Sequence, residues 1–295
     1  MTKILTVFSK IHSLRERYYK AAIGKEALIK LISETEVAEQ VYNSNAIENS
    51  TLTLEETEKI LLQIALDRFI TEREIFEAKN LARVVSYIDK KAKEQELTLE
   101  VILSLHKMLI SNIRDDVAGR FRKDNEYVRV GNHIAPHPEE VVDRLEEMLA
   151  EYNAASHENI IKRIAKLHLT FEHVHPFVDG NGRIGRVINN YLFIREGFVP
   201  INIKFIDRKK YYEAFKEFDT KGMTTIMEEI VGKALTNSYH KRLAYLEGKK
   251  IITLADYAKN SKLSHSNLIN KANRQTIEAF LEKNVWKIGV DNDGR

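Results

Sequence analysis

Most of the chemistry the chain offers lies in one run of twelve residues: His175-Pro176-Phe177-Val178-Asp179-Gly180-Asn181-Gly182-Arg183-Ile184-Gly185-Arg186. The His175 imidazole can accept a proton near neutral pH. Gly180 and Gly182 flank Asn181, and glycines so placed let the backbone take positive φ and turn several N–H groups toward one point. Arg183 and Arg186 stand three apart, so both can project from one side of a helical turn. Their forked donors suit phosphate oxygens. Asp179 is out of place beside an anion unless it holds a cation, and magnesium on phosphates is the cation that fits. Gly-Asn-Gly by itself reads as a turn. Base, carboxylate, backbone nest and two guanidiniums together point to a phosphate-bearing ligand and a proton transfer.

Helices must position this run. Upstream, Ile160, Ile164, Leu167, Phe171 and Val174 recur at helical spacing, and Pro176 then interrupts, lacking an amide donor and biasing His175 away from the right-handed helical region. Downstream, Ile184, Val187, Ile188, Tyr191 and Leu192 form the buried face of a second helix. The run is therefore a helix-to-helix connection, with the partial positive charge of a helix N-terminus behind the glycines.

The rest of the chain is also mainly helical. Thr53-Leu54-Glu55-Glu56 and Thr71-Glu72-Arg73-Glu74 read as capping boxes ahead of periodic apolar runs, the second marked by Ile75, Ala78, Leu81, Val84 and Ile88. Thr98 caps a further helix that sends Val101, Leu103, Leu105 and Leu109 to the core, and 139–153 continues the pattern. Segment 119–138 is the exception. Tyr127, Val128 and Val130 are strand-forming, Gly131-Asn132 offers a turn, and two of the chain's four prolines close a short hairpin. After a charged run near 246–250 a small module begins at Ile251, with helices and a closing strand over 285–290. The expected division is an N-terminal helical region over 1–95, a core with its following helices over 96–245, and the module over 251–295.

Composition sets the setting. The 295 residues carry 46 Lys and Arg against 43 Asp and Glu, a net of +3 that does not argue for nucleic-acid binding. There is no cysteine, hence no disulfide framework and no thiolate metal site. No stretch reaches membrane length, and the apolar run in 1–10 is too short for a secretory signal. A cytoplasmic protein with no membrane partner is expected.

The run at 175–186 resembles the signature of the Fic family, His-Pro-Phe-x-Asp/Glu-Gly-Asn-Gly-Arg-x-x-Arg, at every specified position. His168 and Phe171 before it, and Asp207 to Ala214 after it, agree. The resemblance implies a Fic-type helical core whose hairpin, at 119–138, is a flap that aligns a target segment by strand addition. It implies transfer of AMP from ATP, the co-substrate, to a Tyr, Thr or Ser hydroxyl of a target protein. His175 would be the base, and Asp179 would hold Mg2+. Gly180, Asn181 and Gly182 would cradle phosphates, Arg183 and Arg186 would reach the β- and γ-phosphates, and Phe177 would anchor the nucleotide-binding loop. The Doc-type branch, which transfers phosphate, carries Lys where this chain has Gly182.

Ser44-Asn45-Ala46-Ile47-Glu48-Asn49 resembles the family's inhibitory motif, Ser/Thr-x-x-x-Glu-Gly/Asn, and implies regulatory roles for Ser44, Glu48 and Asn49. A Glu48 carboxylate on Arg186 would occupy the cation the γ-phosphate needs. Some relatives use that glutamate to remove AMP, so the reverse reaction stays open.

Two other readings compete. His173 and His175, with Glu172 and Asp179, offer ligand types for a metal-dependent hydrolase, although two adjacent arginines disfavour a cation cluster. The module's Thr253-Leu254-Ala255-Asp256-Tyr257-Ala258, Asn273 to Ile277 and Val285 to Ile288 resemble excisionase-like winged helix-turn-helix domains. Lys259, Lys262, Lys271 and Arg274 could meet DNA phosphates. Glu278, Glu282 and Asp291 mix that charge, and a docking or dimerisation module with Trp286 as its core anchor is the plainer reading. DNA and a second copy of the chain thus stand as alternative partners, and a DNA- or partner-binding regulator as the alternative function.

Overall fold

A computed structural model describes residues 2–130, 133–261 and 263–291, with side chains from residue 10 onward. The elements run α1 (Thr2–Ala22), α2 (Glu26–Ile47), α3 (Leu54–Leu61), α4 (Glu72–Lys91), α5 (Leu99–Ile110), β1 (Arg129–Val130), β2 (His133–Ile134), α6 (Val141–Ala154), α7 (Ile160–Val174) and α8 (Asn181–Arg195). They continue with α9 (Arg208–Lys221), α10 (Thr225–Leu246), β3 (Lys250–Thr253), α11 (Leu254–Ser261), α12 (His265–Asn273), β4 (Ala279–Glu282) and β5 (Val285–Val290). The mainly helical reading holds.

Contacts divide the chain into two units, Met1–Glu36 with Gly232–Arg295, and Val37–Val231. The sequence suggested breaks near 95 and 246–250; the observed ones fall inside α2 and α10. A helix whose two halves serve different cores shows no change in periodicity where the cores part.

In the larger unit α8 is the central rod, packed on α4, α5 and α7. It is buried from Ile184 through Ile194, and among the polar side chains it carries inward Arg186 finds partners in Ser44, Glu48 and Tyr211, and Asn190 in the backbone of Ile201. Thr53 forms a complete capping box with Glu56. At Thr71 the hydroxyl accepts from the Glu74 amide, while the Glu74 carboxylate accepts from the Thr71 hydroxyl and from the amide and hydroxyl of Thr51. Thr98 caps α5, where Ile102 takes the deep position and Leu103 is half-buried. The hairpin at 119–138 is smaller than its β-formers suggest. Its ladder pairs Arg129 with Ile134 and Val130 with His133, and one more bond joins the Ala135 amide to the Val128 carbonyl. The proposed Gly131-Asn132 turn lies outside the described residues.

In the smaller unit, Lys241 and Arg242 on α10 both reach the buried Glu36, and Lys241 also pairs with Glu282 at 2.5 Å. The C-terminal module runs strand, two helices, hairpin, with antiparallel sheet order β3-β5-β4. Leu254, Ala258, Leu268, Ala272 and Ala279 form its core, and Trp286 packs against them. Strand β5 matches the expected closing strand, while β3 and β4 were not foreseen. Lys262 lies outside the described residues.

Candidate active site

The helix-to-helix connection is fixed by a few side chains. His175 caps α7 in the left-handed conformation (φ 48, ψ 61), its amide still bonded to the Phe171 carbonyl at 2.9 Å. Pro176 prevents the helix from resuming. Phe177 is fully buried and stacks on His106 with ring centroids 3.7 Å apart. The Asn181 side chain accepts from the Phe177 amide and donates to its carbonyl, both at 2.8 Å, closing the loop on itself. Gly180 takes φ 86 and packs tightly on Ile110, so both conformation and space call for glycine there. Helix α8 then begins, and the amides of Asn181, Gly182 and Arg183, in its first turn, have no intrahelical acceptor. Such a set of amides is able to cradle an anion. Phe177 and the Asn181 amide hold the loop from beneath.

Gly182 departs from expectation. Its backbone is helical and its φ is not positive. Space is what counts there: a Cβ would lie 2.1 Å from Glu48 Oε1, so a side chain would have to push the carboxylate aside.

The His175 ring is well defined. His175 Nδ1 donates to the Glu172 carbonyl at 3.3 Å, which leaves Nε2 as the acceptor. Burial pushes the imidazole down to about 4, so it is neutral at pH 7. Arg122 is buried and holds the same turn, donating to the carbonyls of His175 at 2.7 Å, Pro136 at 3.0 Å and Val174 at 3.2 Å. The 119–138 segment and His175 are thereby tied together. The Glu172 carboxyl sits 3.9 Å from His175 Nδ1; burial, helped by the charge of Glu48, pushes it up to about 8, so it is protonated at neutral pH.

The two arginines do different work. Arg183 bridges Asp179 and Glu77, each at 3.1 Å, and Arg73 takes the other Asp179 oxygen at 2.6 Å. Burial opposes the Asp179 charge, but Arg183 and Arg73 outweigh it and hold the carboxyl below its ordinary value. His106 donates to the Asp179 carbonyl at 3.0 Å and accepts from the Gly119 amide at 3.0 Å. Arg186 is buried as well. It donates to Glu48 at 2.9 Å, the Ser44 hydroxyl at 3.0 Å, the Ser44 carbonyl at 2.8 Å and the Tyr211 hydroxyl at 3.1 Å. Asn49 ends α2 in the left-handed region (φ 69), its side-chain oxygen accepting from Arg208 at 2.5 Å.

The segments 44–49 and 175–186 therefore meet in one place. A cleft of about 220 Å³ is lined by Glu48, Arg73, Glu77, His175, Asp179 and the cradle. A groove of about 840 Å³, lined by Val130 and Ile134 of the flap and by Tyr212, shares His175 and Glu48 with that cleft. The competing hydrolase set does not gather. Among the described residues, His173 pairs with His133 and Asp219, while His175 belongs to no such group. Sequence reasoning missed Arg73, Glu77, His106, Arg122 and Tyr211. Arg73 and Tyr211 stood inside segments already singled out; His106 sat in a helix read only for its apolar face.

Residues 96–193 match the model of the Fic/DOC family. The protein adenylyltransferase Fic of Drosophila willistoni is 31% identical over 223 residues, 70% of this chain and 44% of that protein. Its counterpart in Drosophila virilis is 34% identical over 185 residues, 60% of this chain and 37% of that protein. The chain thus spans under half the length of the curated relatives it matches. Among solved structures, a Fic-domain signaling protein from Bacteroides thetaiotaomicron superposes with a TM-score of 0.72 at 21% identity, over 81% of this chain and 97% of that one. A Fic family protein from Desulfovibrio desulfuricans covers 98% of this chain and 96% of its own, with a TM-score of 0.68 at 18% identity. These two share the fold.

Proposed function

The chain carries a Fic domain, and from that premise we propose that it is a protein adenylyltransferase, moving AMP from ATP to a Tyr, Thr or Ser hydroxyl of another protein and restrained by Glu48. The observation that carries this reading is the largely buried His175, oriented by its Nδ1 bond to the Glu172 carbonyl, beside the first-turn amides of α8 in one cleft. An acceptor hydroxyl would give its proton to His175 Nε2 as its oxygen attacks the α-phosphorus. The bond from that phosphorus to the bridging oxygen breaks, and pyrophosphate leaves. The amides of α8 would bind phosphate oxygens, and Arg183 and Arg186 would take the β- and γ-phosphates.

Asp179 suits magnesium: it is a hard carboxylate that lines the cleft and remains partly exposed. When bound there, the ion would offset the phosphates' charge. Glu48 occupies Arg186, so the resting state lacks a free γ-phosphate site. The exposed flap residues Val130 and Ile134 would let a target segment add as a strand. No helix among the described residues is long and apolar enough to cross a membrane. We place the activity in the cytoplasm, where ATP is available.

The test labels ATP at either the α- or the γ-phosphate and follows label onto protein. Transfer from α only, abolished in His175→Ala, is expected. Transfer from γ only would assign the chain to phosphoryl transfer despite Gly182. The module over 250–290 has a strand–helix–helix–hairpin order that would also suit DNA; a mobility shift surviving physiological salt would establish that second role.

A further inference from the structure

The groove beside His175 holds a second cluster that the transfer chemistry does not use. His133 comes from flap strand β2, His173 from the last turn of α7 and Asp219 from the last turn of α9. One potential ligand atom from each lies within 4.8 Å of the others. We propose that these three residues bind a transition-metal ion of the zinc class, which fastens the flap to α7 and α9.

Three features support this. First, His133 Nε2 donates to the His173 carbonyl at 2.8 Å, so its Nδ1 keeps the lone pair. A backbone carbonyl on the far nitrogen is the usual outer partner of a metal-ligating histidine, fixing both tautomer and ring orientation. Second, His173 Nδ1 lies 2.9 Å from Asp219 Oδ1, and the shared proton there is the one a cation would displace. Third, the rings of His133 and His173 lie together with centroids 4.1 Å apart, and Phe218 packs its edge against His173, so the donors are already held in place. Two imidazoles and one carboxylate suit zinc or cobalt far better than magnesium, and three protein ligands leave a coordination position open toward the groove. Lys216 lines the same groove and is the nearby charge that opposes a cation there.

Such a site is distinct from the Asp179 cleft in both ligand chemistry and position. Its functional consequence rests on the adenylyl-transfer reading: with the ion bound, the flap strand that would receive a target is pinned at His133. Metal binding itself can be tested without that reading.

The full-length chain is titrated with cobalt(II) in the absence of nucleotide and magnesium, and visible absorption is recorded. The expected result is saturation at one equivalent, with displacement by zinc. His133→Ala and Asp219→Ala should each weaken binding at least about tenfold, while His175→Ala should titrate like wild type. His133 is half-buried and Asp219 exposed, and neither belongs to the core, so both variants should fold, and circular dichroism verifies it. No absorption band in the wild type, or equal titration of wild type, His133→Ala and Asp219→Ala, would overturn the proposal. Neither result bears on adenylyl transfer, because no nucleotide is present.

Discussion

Replacing Glu48 with glycine should weaken the fold and speed the reaction together. Arg186 and Glu48 pair at 2.9 Å, with side chains 8% and 34% exposed. Breaking a fully buried ion pair costs about 3–5 kcal/mol, because the remaining charge is left uncompensated. Two facts reduce that figure here. Glu48 is a third open to solvent, where screening diminishes a pair, and Arg186 keeps the Ser44 hydroxyl, the Ser44 carbonyl and the Tyr211 hydroxyl as acceptors. A loss of about 1–2 kcal/mol in unfolding free energy is the consequence. A γ-phosphate on Arg186 must displace the carboxylate at a similar cost. Removing that cost raises transfer by about 5- to 30-fold, at about 1.4 kcal/mol for each tenfold. Glu48→Gln, which keeps the shape and loses the charge, should fall between. The assay follows α-labelled phosphate on protein beside denaturant unfolding of the same samples. Equal transfer rates in wild type and Glu48→Gly would refute the restraint, even if stability fell as expected.

Three further outcomes follow from the same geometry. In Gly182→Ala the new methyl would displace the Glu48 carboxylate, whose oxygen lies 2.1 Å from its position. Its unfolding cost should therefore overlap with that of Glu48→Gly, and additivity of the two within about 0.5 kcal/mol in the double variant would rule out the coupling. His175 has its folded value pushed from 6.5 to about 4, so the neutral base survives as pH falls through 6.5 and is lost only toward 4. The acid limb of transfer by Glu48→Gly should accordingly lie well below 6.5; a limb centred there would contradict burial of the base. Glu172 is raised from 4.5 to about 8, so its contribution to stability is complete below 4.5 and is lost as pH rises through about 8. Glu172→Gln should flatten that decline in unfolding free energy, and an unchanged slope would place the proton elsewhere.

Local signals carried much of this architecture. The cap at Thr53, the helices on either side of 175–186, the flap's place between α5 and α6 and the strand over 285–290 all depend on neighbours within a few residues. Side chains brought in across helices left no such trace. Arg73 and Glu77 reach Asp179 and Arg183 from α4, about a hundred positions away, because α4 packs on α8. Arg122 looks like one more charge in a basic stretch until its carbonyl partners are seen. Strand β3 pairs only with β5, so its four residues have no pattern of their own. The flap was overread for the opposite reason: β-formers at Tyr127 and Val128 describe what a sheet would accept, and the ladder takes in two residues from each strand.

Gly182 shows why the loop and the segment at 44–49 are best understood as one device. The Gly-Asn-Gly pattern points to backbone freedom at Gly182, yet the backbone there is helical and any residue could adopt it. What excludes a side chain is the carboxylate of Glu48, which fills the space over the first turn of α8. In the adenylyl-transfer reading a phosphate oxygen needs that same space, since first-turn amides attract either anion. On that reading one pocket would have two competing occupants, and Arg186 beneath it would neutralise one carboxylate or one phosphate at a time. A restraint of this kind would need no separate regulatory site: its strength would be the difference between two anions' affinity for one arginine and one helix end. That difference is what Glu48→Gln would tune, and Gly182→Ala would narrow the space for both.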